Sequence, residues 1–185
     1  MLRAPSRHRR SVRLPTYDYS QAGAYFVTIC TQDRDLFFDR PSIRSMAEAC
    51  WLAIPKHFPR VRLDEWVVMP NHLHGIVGIE EGVRGGVQLN APTEGQISPR
   101  DGTNPFSVIS SRRGTLGVIV RTYKAAVTTS CRMAGYDKFA WQRNYYEHII
   151  RSEADLDRVR NYIRDNPLNW ETDENNPKNI GVSSR

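Results

Sequence analysis

The stretch Glu65–Ile79, EWVVMPNHLHGIVGI, consists of two β-rich runs interrupted at Pro70. We interpret them as two strands. Alternate side chains of a strand point to opposite sides. His72 and His74 therefore share one side, while Leu73 points the other way, into the predicted core. The stretch thus places two imidazoles side by side on a rigid element.

Two neighbouring imidazoles can supply part of a divalent-metal site, with a third ligand from elsewhere in the chain. The plain alternative is a pair of polar side chains on a solvent-facing surface, and an HxH motif by itself is a weak signal. Gly75 leaves room for another group to approach the backbone closely, which favours the metal site somewhat.

The segments around this stretch define the fold class. Residues 24–30 alternate as a strand, and the apolar period after Pro41 predicts a helix that ends near Pro55. A second helical stripe runs from Leu116 to Cys131, whereas Phe139–Ile150 is ambiguous between a strand and an extended loop. This order predicts an α+β fold with a mainly antiparallel sheet.

The last predicted helix follows Ser152, a typical N-cap, and ends before Pro167. Tyr162 and Asn166 are four residues apart, so they lie on one face of this helix. A phenol has a pKa of about 10 and needs help to act as a nucleophile, which a metal bound to a phosphate can provide. Asn166 could complete a His–His–Asn site. On spacing alone, a partly buried core tyrosine and a helix-terminal amide are the better interpretation.

Four blocks in this order resemble one known family. They are residues 17–30 (YDYSQAGAYFVTIC), 67–76 (VVMPNHLHGI) and 123–127 (YKAAV), together with a C-terminal block made of residues 141–151 (WQRNYYEHIIR) and 162–168 (YIRDNPL). Each block is weak by itself, but the set covers most of residues 17–170. The chain resembles the HUH endonuclease superfamily, and within it the REP-associated branch of the single-tyrosine transposases.

The resemblance implies a ferredoxin- or RRM-like antiparallel sheet with helices packed on one face. It implies that His72, His74 and Asn166 bind Mg²⁺ or Mn²⁺ and that Tyr162 is the nucleophile. The substrate would be single-stranded DNA folded as a hairpin, cleaved through a 5′-phosphotyrosine intermediate with a free 3′-OH. Imidazole ligands suit Mn²⁺ better than Mg²⁺, which prefers oxygen.

Charge is unevenly distributed over the 185 residues, which carry a net charge of +6. Five arginines and no acidic residue lie within residues 1–13. We interpret residues 1–16 as a flexible basic arm that includes Arg9 and Arg10 and suits a polyanion; a solvated tail is the plain alternative. Residues 17–170 form the predicted domain, interrupted by a long mobile loop over residues 80–114, and residues 171–185 form a polar, frayed tail.

Further basic residues cluster within the domain. Arg112, Arg113, Arg121 and Lys124 precede or begin the long helix, and we expect contacts to the DNA backbone there. Arg143 lies beside Trp141, Tyr145 and Tyr146, whose rings could stack on unpaired bases. The alternative is that Trp141 and one of the two tyrosines belong to the core.

The sequence also excludes several classes. No run approaches the roughly 20 apolar residues of a membrane span, and no signal peptide or Gly-rich phosphate loop is visible. The three cysteines are widely spaced and indicate free thiols in a reducing compartment, so we expect a cytoplasmic protein. A non-catalytic RRM-like nucleic-acid-binding module is the alternative function. We expect a monomer, with a dimer left open.

Overall fold

The computed structural model describes residues 21–81 and 114–179. Four strands form one antiparallel sheet in the order β2-β3-β1-β4. The strands are β1 (Gly23–Cys30), β2 (Val61–Met69), β3 (His72–Ile79) and β4 (Tyr146–Ile150). With the helices between them, the chain follows the β-α-β-β-α-β order of ferredoxin-like folds. The predicted α+β antiparallel fold is confirmed.

The helices are α1 (Pro41–Leu52), α2 (Ile54–His57), α3 (Leu116–Met133) and α4 (Glu153–Asp165). Proline begins α1, as its fixed φ allows at a first helical position. Thr115 caps α3, since its side chain accepts a hydrogen bond from the N–H of Val118. Ser152 caps α4 in the same way by accepting from the N–H of Asp155, as the sequence predicts.

The core lies between one face of the sheet and helices α1 and α3. Tyr25, Val27 and Ile29 of β1 point into it and are fully buried, as are Leu73 and Val77 of β3. These are alternate residues of paired strands, so the pleat alone sends them to one side. Leu73 therefore enters the core, as predicted.

Gly75 has a packing role on this same face. A Cβ at this position would lie 2.4 Å from Cζ2 of the fully buried Trp51 of α1. The missing side chain lets the indole ring lie directly on the sheet. The close approach suggested by the sequence is thus the approach of a core tryptophan, on the side of β3 opposite the histidines.

Helix α4 lies on the other face of the sheet. Val159 and Ile163 pack against Phe26 of β1 and Ile76 of β3 in a second, smaller apolar cluster. The helices are therefore divided between the two faces, α1 and α3 on one and α4 on the other. This differs from the expected packing on one face, because Phe26 and Ile76 form an apolar patch that α4 covers.

Two arginines also attach α4 to β2. The register of β2 against β3 shifts between Leu63 and Trp66, and Asp64 and Glu65 lie in this bulge. Arg160 donates to both carboxylate oxygens of Asp64, at 3.1 Å from Nε to Oδ1 and 2.6 Å from Nη2 to Oδ2. Arg164 Nε donates to Glu65 Oε1 at 3.0 Å. The bulge and the helix are thereby locked together.

Past α4 the chain forms two short 3₁₀ segments, Asn166–Thr172 and Pro177–Asn179. The expectation of a frayed tail is wrong for residues 171–179, because Asn175 and Asn176 are buried. Residues 1–16, and most of the predicted 80–114 loop, lie outside the described residues. Within residues 21–81 and 114–179, no helix is long and apolar enough to cross a membrane.

Candidate active site

The two histidines of β3 meet on the α4 side of the sheet. The Nε2 atoms of His72 and His74 are 2.9 Å apart, and both side chains are buried. Their rings are nearly perpendicular, with centroids 4.4 Å apart. The face shared by the two residues, predicted from their spacing, is therefore present, and it is covered rather than open to solvent.

Asn71 fixes the proton position of His72. The amide Nδ2 of Asn71 donates to the carbonyl oxygens of Arg34, at 3.0 Å, and Asn175, at 2.8 Å. Its Oδ1 is then left to accept from Nδ1 of His72, at 2.8 Å. A neutral His72 must therefore carry its proton on Nδ1 and present the lone pair of Nε2. That is the tautomer required of a ligand bound through Nε2.

His74 has a more adaptable neighbour. Its Nδ1 lies 2.9 Å from Oγ1 of Thr28, which lies opposite it on β1. A hydroxyl can rotate to donate or to accept, so Thr28 supports either neutral tautomer of His74. Nε2 of His74 can then donate to His72 or present a lone pair of its own.

Burial keeps both rings uncharged. Burial, together with the nearby Arg34 guanidinium, lowers the pKa of His72 to about 3. Burial, followed by the influence of His72, lowers the pKa of His74 well below its usual value. Both imidazoles are therefore neutral near pH 7, as metal ligation requires.

Asp173 brings a carboxylate to the histidines. One oxygen of Asp173 and one nitrogen of each histidine all lie within 4.8 Å of one another, and Oδ2 of Asp173 is 3.7 Å from Nε2 of His72. The Asp173 side chain is only 4% exposed, and Oδ2 has no hydrogen-bond donor among the described residues. The other oxygen, Oδ1, accepts from the N–H of Asn175 at 2.6 Å. A buried carboxylate oxygen without a donor is costly, so this His–His–Asp group fits a cation.

Sequence reasoning missed Asp173. It lies in the segment interpreted as a frayed tail, and the chain returns to the histidines only through long-range contacts. Besides the Asn71–Asn175 bond, Nη1 of Arg34 donates to the carbonyl oxygen of Glu174 at 2.6 Å. Only the unusual density of asparagine and aspartate in residues 173–176 could have indicated a polar turn there.

Asn166, the predicted third ligand, is the C-cap residue of α4 and is buried. Its Oδ1 has no hydrogen-bond donor within residues 21–81 and 114–179. A buried amide oxygen without a donor is available to a cation. Its role as a ligand stays a prediction.

Tyr162 lies beside the histidines. Its hydroxyl oxygen is 3.4 Å from Nε2 of His74, and its side chain is 46% exposed. The ring packs edge-on against Phe26, with centroids 5.8 Å apart, and against His74 at 5.2 Å. The structure thus brings the predicted nucleophile and the predicted histidine pair together, at a tyrosine that is partly exposed.

An open cavity of about 550 Å³ adjoins Tyr162 and His74. Its walls come from β1, β4, α4, the turn after β1, and the residues that precede β4. A substrate that enters it would lie against both Tyr162 and His74.

The predicted DNA-contacting residues have different surroundings. Arg121 and Arg143 are exposed, and Arg9, Arg10, Arg112 and Arg113 lie outside the described residues. Lys124 is held by the chain, because its amine donates to the carbonyl oxygens of Gln142, Arg143 and Asn144 at 2.7, 3.4 and 3.2 Å. Burial lowers its pKa to about 8. This geometry counts against the phosphate contact predicted for Lys124, which stays untested.

The aromatic cluster divides between the two faces of the sheet. Trp141 and Tyr145 pack against the core, and Nε1 of Trp141 donates to the carbonyl oxygen of Lys124 at 3.1 Å. Tyr146 lies on the α4 side of β4, opposite Thr28, and is 47% exposed. Of the three rings, Tyr146 is the exposed one, and Tyr145 lines the same cavity while partly buried.

Comparison with known proteins gives one close relative. No family model matches the sequence. An uncharacterised protein of Haemophilus influenzae is 41% identical over 175 residues, which make up 90% of this chain and 92% of that protein. The chain belongs to the same family. The match runs almost end to end in both proteins.

A solved structure extends the comparison. The structure of a REP-associated tyrosine transposase bound to a REP hairpin is similar to this chain, with a TM-score of 0.56 and 21% sequence identity. The match covers 89% of this chain and 73% of that one. This likeness shows that the two proteins share a fold, and it agrees with the fold that the sequence blocks imply.

Proposed function

We propose that this protein is an HUH-type transposase, a metal-dependent endonuclease and strand transferase that acts on hairpin-forming single-stranded DNA. The single observation that carries the proposal is the contact of 3.4 Å between the hydroxyl of Tyr162 and Nε2 of His74. It joins a nucleophile on one helix to a ligand pair on one strand. The fold of the hairpin-bound transposase is the supporting context.

The proposed reaction is the one that the family resemblance implies. The hydroxyl oxygen of Tyr162 attacks the scissile phosphorus, the bond from phosphorus to the 3′ oxygen breaks, and a 5′-phosphotyrosine forms. The phenol loses its proton, and the departing 3′ oxygen gains one, so the strand ends in a free 3′-OH. The phosphodiester energy is retained in the covalent bond, so the reverse attack by a 3′-OH can join strands.

His72 and His74 would hold the metal, and we propose Mg²⁺ or Mn²⁺ with Asn166 as the third ligand. The donor-free oxygen of Asp173 beside the histidines supports a cation here, and the donor-free amide oxygen of Asn166 is available as a further ligand. These residues would hold a divalent ion, which would supply polarisation of the phosphate and stabilisation of the charge that develops on it. The chain itself contributes neutral imidazoles, the tautomer of His72 set by Asn71, and the position of the phenol.

We propose that the partner is DNA and that Arg9, Arg10, Arg112, Arg113, Arg121 and Arg143 contact its backbone. Deleting residues 1–13 should weaken DNA binding and flatten its salt dependence, because fewer counterions are released. Adduct formation at saturating DNA should be unchanged. Anisotropy titrations over a range of salt concentrations test this, and an unchanged affinity and salt slope would mean that residues 1–13 do not contribute to DNA binding.

We further propose a cytoplasmic monomer in which Tyr162 serves its own chain.

The decisive experiment looks for the covalent intermediate. The protein is incubated with a labelled DNA hairpin and Mn²⁺ or Mg²⁺, and denaturing gels detect a protein–DNA adduct. Tyr162→Phe should abolish the adduct, and His72→Ala should nearly do so. Tyr146→Phe is the matched control, since its ring lines the same cavity but is not the predicted nucleophile.

The outcomes separate the alternatives. An adduct that survives Tyr162→Phe and disappears in Tyr145→Phe or Tyr146→Phe would overturn the assignment of the nucleophile. Binding of DNA without any adduct, with both metals and several hairpins, would favour a non-catalytic RRM-like binding module.

A further inference from the structure

The cavity beside Tyr162 carries side chains that neither the attack on phosphorus nor the metal site uses. Tyr146 lies on its β4 wall, Arg34 on the turn after β1, and Gln142 and Asn144 on the segment that leads into β4. The lining includes Arg34, Arg158 and Glu174, and Arg158 is ion-paired with Asp155, which leaves Arg34 as the arginine that can bind an anion. At about 550 Å³, the cavity has room for a nucleotide.

Tyr146 presents a ring that can stack. It is 47% exposed although it belongs to a strand, and its ring meets Phe26 edge-on with centroids 6.2 Å apart. Phe26 also packs edge-on against Tyr162. Phe26 is thus a common support for the predicted nucleophile and for Tyr146. Aromatic rings exposed in this way are the usual platforms for unpaired bases.

Arg34 is held in an unusual backbone conformation. Asp33 and Arg34 have φ values of 51° and 60°, which non-glycine residues seldom adopt. Asn71 stabilises this turn, because its amide donates to the carbonyl oxygen of Arg34 while its other side accepts from His72. The residue that orients a predicted metal ligand therefore also places an arginine in the adjoining cavity. Conformations of this kind cluster at functional sites.

The segment of residues 142–144, which leads into β4 and borders the cavity, is also fixed in place. The three hydrogen bonds from the Lys124 amine hold the backbone of residues 142–144. Gln142 and Asn144 carry side-chain amides, which can both donate and accept at the edge of a base. Lys124 thus acts as a positioning residue for two groups suited to base recognition.

We propose that this cavity binds one unpaired nucleotide of the DNA, with its base stacked on Tyr146 and a phosphate bound by Arg34. The inference rests on the proposed function, because it takes DNA to be the partner. It goes further by assigning a nucleotide subsite, and residues that select unpaired over paired DNA, to a defined place. A base inside a duplex is stacked between its neighbours, so its face is not available to the ring of Tyr146 in the cavity wall.

The test measures binding of fluorescein-labelled oligothymidylate dT12 in the presence of a chelator, so that neither metal nor cleavage contributes. Tyr146→Ala should weaken binding about tenfold or more, whereas Tyr146→Phe should bind within about twofold of wild type, because stacking needs the ring only. Tyr136→Ala is the matched control, because Tyr136 packs against the core on the side of α1 and α3, away from the cavity. A single 2-aminopurine in dT12 should be quenched by the wild type, and less so by Tyr146→Ala.

Arg34 is tested by salt dependence. Arg34→Gln should weaken dT12 binding and lower the slope of log Kd against log salt by about one, since one phosphate contact is lost. Arg132→Gln, an exposed arginine at the end of α3, should change neither. Thermal melts of all variants establish that each is folded under the binding conditions.

The results separate this inference from the proposed function. If Tyr146→Ala and Arg34→Gln bind dT12 like a wild type that binds DNA and forms the adduct, the subsite is wrong and the transposase proposal stands. If binding depends on both residues but no adduct ever forms, the subsite stands and the nuclease proposal fails. A wild type that binds neither dT12 nor a hairpin overturns both.

Discussion

The face of the sheet under α1 and α3 and the face under α4 are built from alternate residues of the same strands. On β3, Leu73 and Val77 enter the apolar core, while His72 and His74 point to the site. On β1, Val27 packs in the core, and its neighbour Thr28 hydrogen-bonds His74. Both faces are buried at their centres, yet the one under α1 and α3 is mainly apolar, whereas the one under α4 carries the two buried histidines.

The comparison shows how closely stability and chemistry can be interleaved. A substitution at Leu73 removes core packing, whereas a substitution at His72 or His74, one residue away on β3, removes a predicted metal ligand. The rigidity of the first face also benefits the second, because the histidines inherit their spacing from a strand that the core holds. Substitutions on opposite faces should therefore have separable effects.

The largest effect is expected from Leu73→Ala compared with His74→Ala. Leu73 is fully buried, so its truncation should lower the free energy of unfolding by roughly 2–5 kcal/mol. His74→Ala should be less destabilising but should remove Mn²⁺ binding. Urea unfolding measures the first effect, and calorimetric titration with Mn²⁺ measures the second.

Two results would contradict this separation of stability from metal binding. If His74→Ala unfolds the protein as readily as Leu73→Ala, the histidine is a packing residue. If His74→Ala retains wild-type Mn²⁺ affinity in a wild type that binds the ion, it is not a ligand.

A smaller effect is expected from Gly75→Ala. The added Cβ would lie 2.4 Å from Trp51, which is fully buried and cannot move away freely. Overpacking of this kind should cost about 1–3 kcal/mol in urea unfolding. Gly78→Ala is the control, because its Cβ would meet Arg62 at 3.6 Å, an ordinary contact. Equal losses in the two variants would mean that glycine flexibility, not the tryptophan, sets the cost.

The smallest effect is expected from Asp64→Asn, which breaks the double hydrogen bond to Arg160 on α4. The pair is partly exposed, so the loss should be below about 1 kcal/mol at pH 7. Hydrogen bonds from Arg160 lower the pKa of Asp64. Its stabilisation is therefore present above the unfolded pKa of about 4 and is lost as the pH falls through the lower, folded value.

Urea unfolding of wild type and Asp64→Asn at pH 7 and at acid pH measures this. The difference between the two proteins should shrink as the pH falls. Asp137→Asn, an exposed carboxylate after α3, is the control. A difference that grows towards acid pH would contradict the assigned direction of the pKa shift.

Local patterns predicted much of the fold and part of the site. The apolar periods of α1, α3 and α4 and the alternation along β1 depend on near neighbours, and the helix and strand positions agree with them. The shared side of His72 and His74 and the helix that carries Tyr162 follow from the same logic. β4 was ambiguous because its residues are half-buried on both faces, which leaves no clear alternation.

The rest depends on contacts between distant segments, which no local pattern encodes. Asp173 and Asn175 lie in a polar, aperiodic stretch, and only the fold returns that stretch to Asn71 and His72. Lys124 has the sequence surroundings of an exposed basic residue. Its amine is partly buried because the chain passes it again at residues 142–144, a return that the sequence of the helix cannot indicate.

The bulge at Asp64 and Glu65 has a consequence for association between chains. β2 is an outer strand of the sheet, and a regular outer strand offers unpaired N–H and carbonyl groups to a strand of another molecule. The bulge distorts that edge, and charged side chains accumulate on it, with Arg62 bonded to Glu80 as well as the two carboxylates bonded to α4. The bulge whose carboxylates hold α4, the helix that carries Tyr162, therefore also disfavours aggregation through the edge of the sheet.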